Sequence, residues 1–157
     1  MVIQIGQNAP DFTLYSTEKN KVSLSDFRGK NVLILFFPLA FTGTCTTELC
    51  SIRDNMNIYN SLDAVVLGIS VDSLFSLDRY KKDNNYDFPI LSDFNKSTAT
   101  AYGCLYESFL FDMQGVGKRS SFIVDKEGKI QYAEILENAG DLPNFDAIQQ
   151  CLKTLNA

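Results

Sequence analysis

Residues 32–45 read Val32-Leu33-Ile34-Leu35-Phe36-Phe37-Pro38-Leu39-Ala40-Phe41-Thr42-Gly43-Thr44-Cys45. Val32 to Phe37 is apolar without alternation, which is the pattern of a strand covered on both faces, as at the centre of an α/β sheet. Pro38 has no N–H to give a sheet ladder and stops the run. Leu39 to Thr44 then reads as a loop. From Cys45 to about Tyr59, the residues Leu49, Ile52 and Met56 recur at spacings of three and four, the period of a helix. A cysteine therefore falls in the first turn of a helix that follows a buried strand. A helix N-terminus presents free N–H groups and a partial positive charge. Both favour the thiolate, which is the nucleophilic form of the side chain.

Outward from this stretch, strands and helices alternate. Phe12–Tyr15 and Val22–Leu24 read as a short hairpin. Ala64–Val71 is a second buried strand, followed by a helix capped by Asp72 or Ser73 with Leu74, Leu77 and Tyr80 facing inward. Phe88–Leu91 is a short strand, and Ser92–Tyr102 a helix closed by Gly103 in a left-handed conformation. Cys104–Phe111 reads as extended. Arg119–Val124 and Lys129–Leu136 form a hairpin about Asp125-Lys126-Glu127-Gly128, and Pro143 opens a last helix reaching about Leu155. The βαβ alternation implies parallel strands and the late hairpin antiparallel edges. The predicted fold is α/β and thioredoxin-like: a central mixed β-sheet flanked by helices on both faces.

The 157 residues carry 45% hydrophobic and 21% charged side chains, with no linker, repeat or low-complexity segment. One domain over residues 1–157 is expected. The N-terminal stretch beginning Met1-Val2-Ile3 lacks the basic segment and long apolar run of a signal peptide. No apolar run approaches a membrane span. A cytoplasmic location, where thiols stay reduced, is the expectation. The net charge of −5, with scattered Lys and Arg, argues against nucleic-acid binding. There is no histidine, which excludes Ser-His and Cys-His nucleophile systems and HExxH zinc sites. Any activated nucleophile must be activated by something other than imidazole. Gly115-Val116-Gly117-Lys118 lacks the spacing of a phosphate loop. Cys45 and Cys50 lack the further ligands that a zinc site needs.

Thr42, three residues before Cys45, is placed to set its hydroxyl beside the sulfur and a bound oxygen. An arginine would suit the same site, being always charged and forked. Here the motif becomes recognisable. Pro38, three residues, Thr42, two residues and Cys45 resemble the active-site motif of the peroxiredoxins, followed by Thr46-Thr47-Glu48 as in that family. The resemblance runs through Ala9-Pro10-Asp11-Phe12, Leu24-Ser25-Asp26-Phe27-Arg28-Gly29-Lys30, Val71-Asp72-Ser73, Ala101-Tyr102-Gly103 and Arg119-Ser120-Ser121-Phe122-Ile123-Val124-Asp125. It implies a thiol peroxidase in which Cys45 attacks a peroxide, Thr42 and Arg119 line the peroxide and the sulfur, Pro38 shields the site and Glu48 orients Arg119. Hydrogen peroxide and organic hydroperoxides are the implied substrates, and a thioredoxin- or glutaredoxin-like protein the implied reductant. A homodimer through loops near the site is implied as well. No cofactor or metal is needed, because the sulfur carries the electrons. Phe41, in the loop, is the candidate for a wall of the substrate pocket.

Cys50 lies five residues beyond Cys45. On one helix that spacing gives a rise of about 7.5 Å and a rotation of roughly 140°, so the Cα atoms stand about 8.6 Å apart. A disulfide needs them within about 7 Å. A bond between the two therefore requires local unwinding. The spacing resembles the Q-type peroxiredoxins, in which a cysteine at this position resolves the sulfenic acid. Other stretches, Phe37-Pro38-Leu39-Ala40-Phe41-Thr42-Gly43 and Tyr132-Ala133-Glu134, resemble the E-type alkyl hydroperoxide reductases, many of which lack it. Two routes stay open: an intramolecular disulfide with Cys50, which its presence favours, or resolution by an external thiol. A peroxide-sensing thiol switch is the alternative function. A thiol–disulfide oxidoreductase would want Cys-x-x-Cys, which is absent. Cys104 and Cys151 read as core residues.

Overall fold

The computed structural model describes residues 3–157; Met1 and Val2, part of the N-terminal stretch read for a signal peptide, lie outside them. In chain order the strands are β1 (Thr13–Ser16), β2 (Lys21–Ser23), β3 (Asn31–Phe36), β4 (Ala64–Ser70), β5 (Ile90–Ser92), β6 (Ser120–Val124) and β7 (Ile130–Ile135). The helices are α1 (Gly43–Asp54), α2 (Met56–Ser61), α3 (Leu74–Asn84), α4 (Ser97–Ala101) and α5 (Phe145–Leu155). One sheet joins all the strands in the order β2-β1-β5-β4-β3-β6-β7. β3, β4 and β5 run parallel, while β1 and β2 on one side and β6 and β7 on the other are antiparallel. This is the mixed sheet the sequence predicts.

Every residue of β3 is buried, because both faces of the sheet are covered. Leu33 and Leu35 face a core with Leu49 and Ile52 of α1, Leu77 and Tyr80 of α3, and Ile148 and Leu152 of α5. Val32, Ile34 and Phe36 face a second core with Leu24, Ala99, Tyr102 and Cys104. The two faces are unequal: the long helices share one, and the other carries the short α4 and the N-terminal segment.

Three predicted elements differ. The helix expected over 45–59 breaks at Asn55, whose side-chain amide donates to the Ser51 carbonyl at 2.8 Å; Asn competes for helix carbonyls in this way. The helix expected over 92–102 shrinks to α4. The buried Asp93 carboxylate accepts from the Thr98 and Ala99 N–H groups at 3.1 and 2.7 Å, which fixes a late start. Gly103 does close it, at φ 66°. The segment expected to be extended over 104–111 instead bridges at Leu105 to Gly117. It then enters a 3₁₀ turn at Leu110–Asp112, in which Phe111 and Asp112 both adopt positive φ.

Candidate active site

β3 and β6 bring the site together. Antiparallel pairing sets Phe36 opposite Ser120. Arg119, just ahead of β6, therefore lies beside the end of β3, where the chain turns into the loop before α1. Asp72, past the end of β4, steadies that loop: its Oδ2 accepts from the Ala40 N–H at 2.8 Å and from the Ser70 hydroxyl at 2.7 Å. Thr42 is the N-cap residue of α1, with extended backbone at φ −96°, ψ 153°. Its hydroxyl does not cap the helix. It donates to the Leu39 carbonyl at 2.7 Å, so the N–H groups of the first turn are left uncapped by side chains. Cys45 sits in that turn and is 1% exposed.

Arg119 reaches Cys45 from the sheet side and is likewise 1% exposed. Both Nη1 and Nη2 donate to the Cys45 sulfur at 3.4 Å. Nη1 also donates to Glu48 Oε1 at 2.7 Å and Nη2 to the Ala139 carbonyl at 2.8 Å. Burial alone would lower the basicity of the guanidinium, but the charges of Glu48 and Cys45 raise it, and it stays a cation. A forked, charged donor pair on one sulfur is the geometry that favours an anion there.

Glu48 is fully buried. Its second oxygen, Oε2, has no hydrogen-bond partner among the described residues. Desolvation therefore pushes its carboxyl up to about 7, against the pull of Arg119 and with a push from Glu134. Cys45 and Glu48 are three residues apart and share one face of α1, so a single arginine serves both.

A pocket of about 330 Å³ opens onto this cluster, lined by Pro38, Leu39, Thr42, Cys45 and Arg119 together with Phe109, Leu110, Phe111, Met113 and Ala139. Pro38, Thr42, Cys45 and Arg119, read from sequence as one site, are thus brought together, with Glu48 behind them. Phe41 is not in the wall. It adopts φ 65°, which turns its ring onto Tyr80 at a centroid distance of 5.0 Å and leaves it 57% exposed. The apolar wall comes instead from the 109–113 segment. The dense apolar spelling Phe109-Leu110-Phe111 beside Met113 was the only signal of it in the sequence.

The other thiols differ from Cys45. Cys104 is fully buried in the opposite core, and desolvation pushes it up to about 12. Cys151 is half-buried, with its thiol also pushed up by burial. Cys50 is half-buried on α1 and faces α3 rather than the pocket, 3.6 Å from the Tyr86 hydroxyl.

An uncapped helix start and a buried forked arginine thus gather hydrogen-bond donors and positive charge around one cysteine sulfur, with an open pocket above it. Comparison with known proteins agrees. The model of the AhpC/TSA family matches residues 5–133. Peroxiredoxin Bcp of Bacillus subtilis is 38% identical over 132 residues, covering 83% of each chain. Alkyl hydroperoxide reductase E of Mycobacterium tuberculosis is 38% identical over 137 residues, covering 85% of this chain and 86% of that protein. The crystal structure of peroxidoxin BcpB from Mycobacterium tuberculosis superposes with a TM-score of 0.85 at 25% identity over 97% of both chains. The chain belongs to the AhpC/TSA family of peroxiredoxins, with its thioredoxin-like fold. It is a thiol-dependent peroxidase, whose substrate is a peroxide and whose reductant is a thiol.

Proposed function

We propose that Cys45 is the peroxidatic cysteine and that the Arg119 fork on its sulfur is the observation that carries this assignment. The thiolate attacks the terminal oxygen of a hydroperoxide. The S–O bond forms as the O–O bond breaks, the alkoxide or hydroxide leaves, and it takes a proton from solvent. Negative charge moves from sulfur to the leaving oxygen, and the Arg119 N–H groups beside the sulfur are placed to follow it. The Thr42 hydroxyl donates its hydrogen bond to the Leu39 carbonyl, so its oxygen acts as an acceptor for the peroxide O–H. Pro38 closes one side of the pocket to water. Glu48 orients Arg119. The apolar wall of Phe109, Leu110, Phe111 and Met113 suits the alkyl group of an organic hydroperoxide, while hydrogen peroxide needs only the polar floor.

The resulting sulfenic acid is resolved by Cys50. Its thiol attacks the Cys45 sulfur, a disulfide forms and water leaves. A thioredoxin- or glutaredoxin-like dithiol then returns both to thiols by exchange. One domain spans the chain. No helix among the described residues is long and apolar enough to cross a membrane, and a cytoplasmic location fits the free thiols. The exposed Leu110 and Phe111 beside the pocket give a homodimer a surface on which to form. The assignment is tested by peroxide consumption with a dithiol reductant. Cys45→Ser is expected to bring turnover to background, and retained turnover would end the assignment.

A further inference from the structure

On α1, Thr46, Cys50 and Arg53 follow one another at spacings of four and three. They form a stripe rotated roughly 80–140° from Cys45. Each meets the C-terminal half of α3 or the turn after it. The Thr46 hydroxyl lies 3.0 Å from the Tyr80 hydroxyl. The Cys50 sulfur lies 3.6 Å from the Tyr86 hydroxyl and 4.0 Å from Asn84 Oδ1. Arg53 Nη1 donates to the Asn84 carbonyl at 2.7 Å. None of these contacts touches the pocket over Cys45.

Tyr86 is held where it can do this. Asn85 ends α3 in the left-handed conformation at φ 53°, and the chain turns back toward α1. The Tyr86 ring, 3% exposed, lies edge-on to Tyr80 at 5.4 Å and stacks on Phe88 at 5.5 Å. Burial pushes its hydroxyl far above the ordinary phenol range, so it keeps its proton and can donate to the sulfur.

Resting on the reading of Cys50 as the resolving thiol, we propose that Tyr86 is a positioning residue for resolution: it tethers Cys50 to α3 and so sets how quickly α1 unwinds to let Cys50 reach oxidised Cys45. Two fates compete for the sulfenic acid. Attack by the Cys50 thiol gives the disulfide and water. Attack of the sulfenate on a second hydroperoxide gives a sulfinate and a second alcohol, which ends the cycle. A tighter tether lengthens the life of the folded sulfenic acid and shifts the balance to the sulfinate.

Tyr86→Phe removes the hydroxyl and keeps the ring between Tyr80 and Phe88. Thr46→Val cuts the Tyr80 tie at the other end of the stripe and carries the same test if the first variant folds poorly. Rapid quench with intact-mass analysis would follow disulfide and sulfinate, and amide exchange would follow residues 46–53 of the reduced protein. The first oxidation is expected to match wild type. Disulfide formation and amide exchange are expected to rise about 3- to 10-fold, the worth of one neutral hydrogen bond, with a matching fall in sulfinate at excess peroxide. Unchanged exchange in folded Tyr86→Phe overturns the tether, whatever Thr46→Val shows. Faster exchange without faster disulfide formation overturns its control of resolution. If wild type forms no Cys45–Cys50 disulfide while exchange still rises, the resolving role of Cys50 has failed and the proposal with it, and the exchange data show that the tether itself was real.

Discussion

The two sides of α1 are held in opposite ways. Toward the sheet, Cys45 and Glu48 meet a guanidinium through bonds of 3.4 and 2.7 Å, with all three side chains at most 1% exposed. Toward α3, Thr46, Cys50 and Arg53 make partly buried contacts: a pair of hydroxyls, a thiol at 3.6 Å and a single bond to a carbonyl. Charge-assisted hydrogen bonds are roughly twice as strong as neutral ones. The sheet side is therefore the more strongly held, with the Arg119 guanidinium donating to Cys45, Glu48 and Ala139; on the α3 side only the Arg53 bond is charge-assisted, and the Thr46 and Cys50 contacts are neutral.

Breaking the strong side gives the largest effect. Arg119→Lys keeps a cation but loses the fork that spans the sulfur, Glu48 and Ala139. Its first oxidation, followed by stopped flow, is expected to slow by about 10²-fold, the scale of losing one fixed donor to a developing charge. A rate within a few-fold of wild type would mean that charge alone, without the fork, suffices.

Glu48→Gln sharpens the same side. A carboxyl raised from 4.5 to about 7 binds its proton more tightly in the folded chain than in the unfolded one. Between those values the folded state holds more protons, so folding stability falls as pH rises from about 4.5 to about 7, and is greatest below that window. The groups facing it are Arg119, which opposes the rise, and Glu134, which adds to it. In denaturant titrations across this range, wild type is expected to lose stability with rising pH and Glu48→Gln to flatten the slope. Equal slopes would show that folding leaves the Glu48 carboxyl unshifted.

The strong side was largely legible in the sequence and the weak side hardly at all. The buried strand and helix N-terminus around Cys45 follow from local spelling, while the roles of Arg119 and Glu48 are implied by the resemblance to the peroxiredoxins. What sets the pocket wall and the α3 contacts is the meeting of distant segments. Tyr86 comes back to Cys50 only because Asn85 turns left-handed after α3. Phe109 to Met113 reach the pocket through a turn in which Phe111 and Asp112 take positive φ. Phe41 differs from its expected place for the same reason: a phenylalanine at φ 65° carries none of the Gly or Asn spelling that marks such positions, and its ring lies on Tyr80 instead of in the pocket wall. The break at Asn55 was local but rested on one side-chain bond. Cys104 is legible as core, because a thiol between Gly103 and Leu105 has no polar loop around it.

The contrast between the two sides of α1 rests on one claim: a single helix first activates Cys45 and then comes partly undone so that Cys50 can bond to it. The most direct test is peptide mapping of wild-type protein after one equivalent of peroxide, with free thiols blocked at once. One intramolecular disulfide, Cys45–Cys50, is expected, with Cys104 and Cys151 recovered as blocked free thiols. A disulfide from Cys45 to Cys104 or Cys151, or a sulfenic acid that persists with Cys50 still free, would contradict it.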